Sequence, residues 1–354
     1  MTRSINLVPL RAEHKSLLFL WRNDPYIISR SASAQRVMPD EHDQWFDRLI
    51  GSAESLAYVI EIDGQPAGHL RMDRGTDGVA TLTVYLVEQF TGFGAGTEAI
   101  RLGCERVAAN WSGTPVRAIV RTENVPMRKA LRIAEFVPTS TDETQVEMYW
   151  FGTEVKATIE RFSARLAEFG PGHRALDWGS AAGQQRRFEM LASIGIVNGA
   201  SVLDVGCGLG DFWEWLGRNG YKVRYTGLDA TPALLDVAVA RHPHAEFVLG
   251  SILDARALDG RSFDYVVASG LFYTYRLGGY TWMHAAIEAM WRHASCGLAF
   301  NSLSTWSPEA ESTEFHADPC EVLGFCRKLS PWVDLLHSYH PRDFTVHVLR
   351  NVRS

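Results

Sequence analysis

The sequence predicts an α/β protein of two domains, the first with a mixed sheet and the second with a doubly wound parallel sheet. Its 354 residues exceed the size at which one hydrophobic core usually continues to grow. From residue 201 onwards, short apolar strands alternate with amphipathic helices, which is typical of a parallel sheet with crossover helices. The earlier part follows the order β-α-α-β-β-β-turn-α-β-α-β, which predicts an α+β arrangement. We therefore expect domains at 1–152 and 174–354, joined by a helix and linker at 153–173.

Apolar spacing and turn residues define the elements of the first domain. Asp63-Gly64 joins two β-rich runs as a hairpin, and Asn23-Asp24-Pro25 ends a helix. We expect strands at 6–9, 57–62, 66–73, 80–87, 116–120 and 145–151, and helices at 13–22, 41–49, 97–109 and 125–134.

Apolar spacing and turn residues also define the elements of the linker and the second domain. Apolar residues at helical spacing predict an amphipathic helix over 155–168, and Phe169-Gly-Pro-Gly-His173 ends it. After it, the pattern predicts a sheet that is closed by an antiparallel hairpin, 332–339 with 344–349. We expect further strands at 201–205, 222–228, 246–249, 265–268 and 297–301, and helices at 211–219, 232–241 and 281–293.

Composition and charge narrow the function classes. The formal net charge of −6 at pH 7, without a basic tract, argues against a nucleic-acid partner. The five cysteines show no CxxC spacing, so we expect reduced thiols and no metal. The N-terminus lacks the layout of a signal peptide, and no apolar run approaches the roughly 20 residues of a membrane span. We expect a cytoplasmic protein with no membrane partner, and the sequence is compatible with a homo-oligomer.

Residues 202–211 read Val-Leu-Asp-Val-Gly-Cys-Gly-Leu-Gly-Asp, an apolar strand that breaks into alternating glycines. Such a turn lets a nucleotide-like ligand lie against bare backbone at the end of a parallel strand. The spacing is G-x-G-x-G rather than the G-x-G-x-x-G of dinucleotide-binding proteins. Carboxylates at Asp204 and Asp211 would repel a pyrophosphate, whereas they suit a cofactor with a cationic amino acid end. Asp229, which ends the next strand, can accept hydrogen bonds from both hydroxyls of a ribose.

This region resembles the class I S-adenosylmethionine (SAM)-dependent methyltransferases, with their Rossmann-like fold, across about residues 180–350. The resemblance implies that SAM is the cofactor. It places the methionine moiety near Asp204 and the glycines, the ribose at Asp229 and the adenine after the third strand, with a further contact after the fourth. The implied cofactor-binding residues are Asp204, Gly206, Gly208, Gly210, Asp229, Ser251, Ile252, Leu253 and Ser269. A degenerate fold without cofactor is the alternative.

The methyl acceptor is less well defined by the sequence. Neither the Asn/Asp-Pro-Pro-Tyr/Phe signature nor a paired-cysteine arrangement is present. Residues at strand ends are the candidates, with Tyr273 and Asn301 expected to be catalytic and Tyr275 expected to bind substrate. Phe272, His337, Tyr339 and His340 are further candidates. The alternative for Tyr273 and Tyr275 is an aromatic residue that packs in the core, and the alternative for His337 and His340 is an exposed residue beside the hairpin. The runs 301–304, 318–321 and 340–350 resemble methyltransferases found with bacterial surface-sugar pathways.

A second glycine turn, Thr91-Gly-Phe-Gly-Ala-Gly96, follows a strand and opens a helix in the first domain. Backbone amides at such a turn can bind a pyrophosphate, and the absence of a P-loop lysine argues against a nucleotide hydrolase. With Arg121-Thr-Glu-Asn124 after the next strand, the element order resembles the GNAT acetyltransferases over about residues 3–150. The resemblance implies acetyl-CoA as cofactor. Its implied contacts are Leu86, Val87, Gly92, Gly94, Gly96, Thr97 and Asn124.

Two positions depart from the GNAT pattern. Thr91 stands where the family usually has Arg or Gln, and Met127 stands where a small hydroxyl residue is common. A regulatory or structural GNAT domain therefore remains an alternative. If the domain is active, direct attack of an amine on the thioester needs a base and an acid. Glu88 and Tyr85 lie near the expected position, and surface residues at a strand end are the equal alternative for both.

The runs Leu20-Trp-Arg-Asn-Asp24 and His42-x-x-Trp45-Phe46 resemble the acetyltransferases of nucleotide-linked aminosugars, especially those of the pseudaminic acid pathway. Arg22 could hold a diphosphate or sugar oxygen in a bidentate manner, or it could be a solvated charge at a helix end. His42 could contact the acceptor, or it could be an ordinary residue in the first turn of its helix. We therefore expect a bifunctional enzyme that N-acetylates an aminosugar, carried on a nucleotide, and methylates the same or a related sugar. The alternatives are modification of a protein amine, and a methyltransferase with a non-catalytic binding domain.

Overall fold

The computed structural model describes residues 3–31, 35–254, 256–275, 278–309, 311 and 313–352. The chain divides into two compact units, Met1–Glu154 and Val155–Ser354. Among the described residues, each unit contains a seven-stranded sheet with an apolar core of its own. None of the helices in these parts of the chain is long and apolar enough to cross a membrane.

The first unit has a mixed sheet, which confirms the predicted fold class. Its strands are β1 (Ile5–Pro9), β2 (Ser55–Ile62), β3 (Gln65–Arg74), β4 (Ala80–Leu86), β5 (Val116–Arg121), β6 (Val137–Thr141) and β7 (Gln145–Trp150). They lie in the order β1-β2-β3-β4-β5-β7-β6, and β4 and β5 form the parallel pair. Strand β6 is not predicted by the sequence. It contains Pro138 and lies at the edge of the sheet, where the missing N–H of a proline is tolerated.

The helices of the first unit lie on both faces of its sheet. They are α1 (Lys15–Arg22), α2 (Pro25–Arg30), α3 (Pro39–Ile50), α4 (Ala95–Asn110) and α5 (Val125–Ile133). Helix α4 packs into the main core, and α1 and α3 pack together on a smaller cluster around Leu18, Phe46 and Val59. The short helix α2 is not predicted. The same Asn-Asp-Pro that ends α1 also begins α2, because the Asp24 side chain accepts the N–H of Tyr26 at 2.8 Å.

The parallel pair β4–β5 is joined only at its beginning. Its register contains two residue pairs, Ala80 with Val116 and Thr81 with Arg117. Beyond them the strands diverge, so the second half of β4 has an open edge on this side. A backbone edge without a neighbouring strand is able to pair with another extended chain or ligand.

The second unit has the expected parallel sheet with an antiparallel hairpin. Its strands are β8 (Ser201–Val205), β9 (Arg224–Asp229), β10 (Glu246–Leu249), β11 (Phe263–Ala268), β12 (Ala294–Leu303), β13 (Trp332–Leu336) and β14 (Asp343–Leu349). Their order is β10-β9-β8-β11-β12-β14-β13, with the first five parallel and β14 antiparallel to both of its neighbours. The strand order reverses between β8 and β11, and ligands of such sheets bind at the carboxyl ends of the strands beside this point.

Helices of the second unit include two that the sequence does not predict. The full set is α6 (Gly152–Phe169), α7 (Ala181–Ala192), α8 (Asp211–Arg218), α9 (Pro232–Arg241), α10 (Gly279–His293) and α11 (Pro319–Leu329). Helices α7 and α11 are the unpredicted pair. Their beginnings are defined by side-chain caps, Ser180 on the N–H of Gly183 and Asp318 on those of Cys320 and Glu321. The polar run at 184–187 hides the apolar stripe of α7.

Candidate cofactor sites

The glycine turn of the second unit connects β8 to α8. Gly206 and Gly208 have φ angles of +74° and +54°, in the left-handed region that favours glycine. A Cβ atom on Gly206 would also come within 2.9 Å of the Leu271 side chain. The backbone N–H groups of Gly206 and Cys207 donate to the carbonyl of Leu228 in β9. The turn is therefore bound tightly to the end of the neighbouring strand.

Asp204 lies directly before this turn, with 3% of its surface exposed. The phenol of Tyr225 donates a hydrogen bond to its Oδ2 at 2.7 Å. Burial raises the pKa of Asp204 to about 7, and the nearby negative charges of Asp229 and Asp211 add to the rise, whereas the bond from Tyr225 opposes it. Among the described residues, no cationic side chain forms an ion pair with this carboxyl.

Asp229 closes the other side of the turn. One carboxylate oxygen accepts the N–H of Gly208 at 2.9 Å, and the other accepts the N–H of Thr231 at 2.8 Å. Burial raises its pKa, and these backbone hydrogen bonds oppose the rise. Each carboxylate oxygen retains a further lone pair, so the side chain can still accept hydrogen bonds from a diol.

A cavity opens at this edge of the sheet and brings most of the predicted residues together. Lined on one side by the glycine turn and on the other by the loops after β10 and β11, it includes eight of the predicted residues, namely Asp204, Gly206, Gly208, Asp229, Ser251, Ile252, Ser269 and Tyr275. Gly210 and Leu253 are not in this lining. A Cβ atom on Gly210 would meet His242 and Phe247, so this glycine faces the packing behind the turn.

Neither predicted catalytic residue of the second unit lines the cavity, and the structure corrects both expectations. Asn301 is buried, and its Oδ1 accepts the N–H of Gly270 at 2.8 Å while its Nδ2 donates to Ser269 Oγ at 3.2 Å. It thus holds the loop that forms one cavity wall. The phenol of Tyr273 donates a hydrogen bond to Asp177 at 2.8 Å, so this side chain belongs to an ionic cluster outside the cavity.

The other acceptor candidates of the sequence also have structural partners. The Tyr275 ring lies in the cavity wall and stacks on Trp282 with centroids 3.7 Å apart. Phe272 is buried against the same tryptophan. The remaining three lie outside the lining, with His337 bonded to Ser304, Tyr339 bonded to Thr345, and His340 beside Asp343.

Helix α6 and the turn after it contribute wall residues that sequence reasoning missed. Val155, Thr158 and Phe162 of α6 line the cavity, together with Leu176 and Trp178. The apolar stripe of the predicted helix, which includes Val155 and Phe162, was the available signal. The sequence alone could not say which surface this stripe would cover.

An ionic cluster holds α6 in place. Asp177, in the left-handed conformation with φ +60°, forms ion pairs with Arg161 and Arg165 of α6 at 2.5 Å each. It also accepts the hydrogen bond from Tyr273, which belongs to the loop after β11. This single carboxylate therefore connects two walls of the cavity.

The open edge of β4 is the main feature of the site in the first unit. The N–H of Ala80 donates towards β5, to Pro115, and the N–H of Val87 donates towards β3, to Ala67. Because backbone groups alternate along a strand, the N–H groups of Val84 and Leu86 are directed to the open edge. Leu86 therefore presents its amide at the open edge, whereas the N–H of Val87 is already bonded to Ala67.

The second glycine turn leads into the N-terminus of α4. Gly92 and Gly94 have φ angles of +87° and +78°. Within the described residues, no backbone carbonyl accepts the N–H groups of Ala95, Gly96 and Thr97, and the first bond of the helix is from Glu98 to Gly94. These three donors and the helix dipole form an arrangement that favours a phosphate group.

A cation that the sequence did not indicate lies beside this turn. The guanidinium carbon of Arg3 lies 4.1 Å from the centroid of the Phe93 ring. Phe93 is exposed, with 59% of its surface accessible. Arg3 is far from the turn in sequence, and the two residues meet because β1, which follows Arg3, lies against α4, which follows Phe93. Thr91, where the family usually has a cation, donates its hydroxyl to the carbonyl of Glu88.

The remaining predicted residues of the first unit lie in different environments. Tyr85 is partly buried beside the open edge of β4, and Glu88 is exposed in the turn that follows. Asn124 caps α5 by accepting the N–H of Met127 at 3.2 Å. Arg22, at the end of α1, lies near enough to Tyr85 to affect its pKa.

His42 does not lie on an accessible surface. It is 2% exposed, its Nε2 atom lies 3.0 Å from the carbonyl oxygen of Lys15, and its ring packs against Phe19 and Trp45. The ring therefore joins α1 to α3 in the small core. This corrects the expectation that His42 contacts the acceptor, since a first-turn position does not reveal which face of the helix is covered.

Comparisons with known proteins match both units. Residues 17–136 match the family described as Acetyltransferase (GNAT) family, and residues 202–295 match the one described as Methyltransferase domain. The Mycobacterium tuberculosis protein Rv1506c, provisionally named a methyltransferase, is 36% identical over 164 residues, which span 43% of this chain and 95% of that protein.

The solved structures that this chain resembles include acetyltransferases and a methyltransferase. Aminoglycoside acetyltransferase AAC(6')-Ib in complex with coenzyme A is 19% identical, with a TM-score of 0.38 over 44% of this chain and 99% of that one. Magnesium protoporphyrin IX methyltransferase from Synechocystis PCC 6803 with bound SAM is 14% identical, with a TM-score of 0.42 over 56% and 97%. Campylobacter jejuni N-acetyltransferase PseH with acetyl-CoA is 18% identical, with a TM-score of 0.32 over 42% and 99%. TM-scores this low carry no information about the substrate of this chain.

The two family matches and the methyltransferase relative agree with the two turns described above. The chain is a fusion of a domain of the GNAT acetyltransferase family with a methyltransferase domain.

Proposed function

We propose that the protein is a bifunctional group transferase of bacterial surface-sugar biosynthesis, acting in the cytoplasm. One domain N-acetylates an aminosugar, carried on a nucleotide, with acetyl-CoA, and the other methylates the same or a related sugar with SAM. The observation that carries the proposal is that each unit has its own cofactor-type turn with groups complementary to a different ligand. One turn presents buried carboxyls, and the other presents unpaired N–H donors.

The residues of the second unit fit SAM. The Asp204 carboxyl would hold the ammonium group, and Asp229 would accept the ribose hydroxyls. Ser251 and Ile252 line the part of the cavity where an adenine would lie. Bound SAM would supply a methyl group activated as a sulfonium. The protein then has to align the acceptor, and Asn301 contributes by holding the Ser269–Gly270 wall.

The residues of the first unit fit acetyl-CoA. The N–H groups at the start of α4 would hold the pyrophosphate, with Arg3 nearby, and the open edge of β4 would pair with the pantetheine arm. Bound acetyl-CoA would supply an acetyl group as a thioester. We propose that the Leu86 N–H polarises its carbonyl and that Tyr85 and Glu88 act as proton donor and acceptor.

Mass spectrometry of aminosugar nucleotides incubated with the full chain and both cofactors tests this proposal. We expect the gain of one acetyl group only when acetyl-CoA is present and of one methyl group only when SAM is present. Each cofactor should also raise the melting temperature by itself, since a ligand that binds the native state stabilises it.

The alternatives give different results in the same experiment. A chain that methylates sugars but is not stabilised by acetyl-CoA would have a non-catalytic GNAT-like binding domain. Acetylation of a peptide amine but of no aminosugar would indicate a protein substrate. The absence of a melting shift with either cofactor would contradict the proposal as a whole.

A further inference from the structure

His69 of β3 has a buried hydrogen-bond acceptor that no described residue pairs with. The side chain is 2% exposed, and its Nδ1 atom lies 3.0 Å from the carbonyl oxygen of Tyr58. A carbonyl oxygen only accepts hydrogen bonds, so in the neutral ring Nδ1 carries the proton and Nε2 is an acceptor. Among the described residues, Nε2 has no hydrogen-bond partner. Buried polar atoms are normally paired, so this atom indicates a missing donor.

The position of His69 connects it to the proposed acetyl-transfer site. It is the cross-strand partner of Tyr85 on β4, and the two ring centroids lie 5.6 Å apart. The phenol of Tyr85 also makes no hydrogen bond within the described part of the chain. Trp45 of α3 lies on the same side, with its ring 6.4 Å from that of His69. Two polar groups that no described residue pairs with therefore lie together beside the open edge of β4.

The charges that act on the His69 and Tyr85 rings are those of the Arg71 and Arg22 guanidinium groups. Burial and the nearby Arg71 lower the pKa of His69 to about 3, so the ring is neutral. Burial raises the pKa of Tyr85, and the charges of Arg22 and Arg71 oppose this rise. Asp73 pairs with Arg71 at 2.7 Å, but it lies two positions further along β3, away from His69.

We propose that His69 Nε2 and the Tyr85 phenol bind the attacking amine of the acceptor, and that Arg71 and Arg22 select a neutral amine on an anionic substrate over a polycation. This inference rests on the proposed acetyltransferase function, which it deepens. A protonated amine would be repelled by the two guanidinium groups, and its own pKa would fall beside them. The neutral form, which is the nucleophile, can donate an N–H to Nε2. Phosphate groups on the substrate would be attracted by the same arginines.

Calorimetric titration of the full chain without acetyl-CoA tests the amine site independently of activity. UDP-glucosamine is the probe, and UDP-glucose, with a hydroxyl in place of the amine, is its control. We expect the wild type to bind UDP-glucosamine more tightly than UDP-glucose, and more tightly than kanamycin or spermine. Equal affinity for the two sugars, no binding of UDP-glucosamine, or tighter binding of a polycation would overturn the proposal.

Matched variants test whether the preference for the amine depends on His69 Nε2. His69→Asn keeps a donor near the position of Nδ1 for the Tyr58 carbonyl but removes the Nε2 acceptor. We expect it to weaken UDP-glucosamine binding by about tenfold and to leave UDP-glucose unaffected. His69→Gln, which can place an oxygen near Nε2, should restore part of the loss, and His244→Asn in the other unit should have no effect. An unchanged preference for the amine in His69→Asn would refute the role of Nε2.

A second set of measurements separates this inference from the proposed function. In acetylation assays, His69→Asn should raise KM for the amine and leave the Kd of acetyl-CoA unchanged. Arg71→Met combined with Asp73→Asn, which removes the whole ion pair, should weaken the discrimination against spermine. If the wild type does not bind acetyl-CoA, the proposed function of this domain fails, whereas the calorimetric preference for the amine still decides the role of His69.

Discussion

The affinity for SAM should depend on pH through Asp204. This carboxyl is buried beside Asp229 and Asp211, and its pKa is raised to about 7. Only the ionised form attracts the ammonium group of the proposed ligand. Because the α-amino group has a pKa of about 7.7–8.0, the ligand stays cationic below pH 7. Acidification should therefore weaken binding through the protein and not through the ligand.

The magnitude follows from the pKa of about 7. About half of the Asp204 side chains are ionised at pH 7 and about 3% at pH 5.5, so the apparent Kd should rise about 15-fold. This corresponds to about 1.6 kcal/mol of binding free energy. The unliganded domain should respond in the opposite direction. A folded-state pKa above the unfolded value means that the stabilisation of the protonated form is present at low pH and is lost as the pH rises through 7.

Calorimetric titration of SAM between pH 5.5 and 7 measures this effect. Asp204→Asn should bind SAM weakly at every pH and remove most of the slope. Asp236→Asn, which removes an exposed carboxylate of α9, serves as the control and should retain the wild-type profile. A wild-type Kd that is constant within twofold over this range would refute the assignment of Asp204 to the ammonium group.

Three further substitutions test the rest of the two sites. Asp229→Asn, which keeps one acceptor oxygen for the backbone, should abolish the melting shift with SAM but not that with acetyl-CoA; wild-type affinity for SAM would contradict the ribose assignment. Arg3→Ala should weaken acetyl-CoA binding about three- to tenfold by loss of a phosphate contact. The control Arg36→Ala, at an exposed arginine, should leave binding unchanged. Equal effects of the two variants would mean that only the net charge of the protein matters. Asp177→Asn should weaken SAM binding about fivefold by loosening α6 over the cavity while its bond from Tyr273 persists, and an unchanged Kd would exclude this role.

Local sequence predicted most of the fold. Strands and helices with a strong apolar period appear where the spacing placed them, and the glycines at 206 and 208 adopt the left-handed conformation that the turn requires. Two of the missed elements carry conflicting local signals. Strand β6 contains a proline, and α7 contains the polar run at 184–187, so their conformation depends on packing against the sheet.

The sequence could predict those parts of the candidate site that lie in or next to a backbone motif. Asp204 and Asp229 lie on the cavity because a strand end and its turn are adjacent in the chain. Tyr273 and Asn301 have the right chemistry at the right strand ends, yet their polar atoms are bonded to Asp177 and to the Ser269–Gly270 loop. The residue type at a strand end does not show which neighbouring group will form hydrogen bonds with its polar atoms.

By itself, the sequence determined that the chain has two domains and that each begins a helix at a glycine turn, because these features depend on local spacing and on backbone conformation. Only the tertiary structure decided how side chains distant in sequence meet. It buries His42, leaves His69 Nε2 beside Tyr85 without a partner among the described residues, brings Arg3 to Phe93, and covers the methyltransferase cavity with α6. These are non-local contacts, fixed by strand pairing and packing, and no pattern within a short window of the chain encodes them.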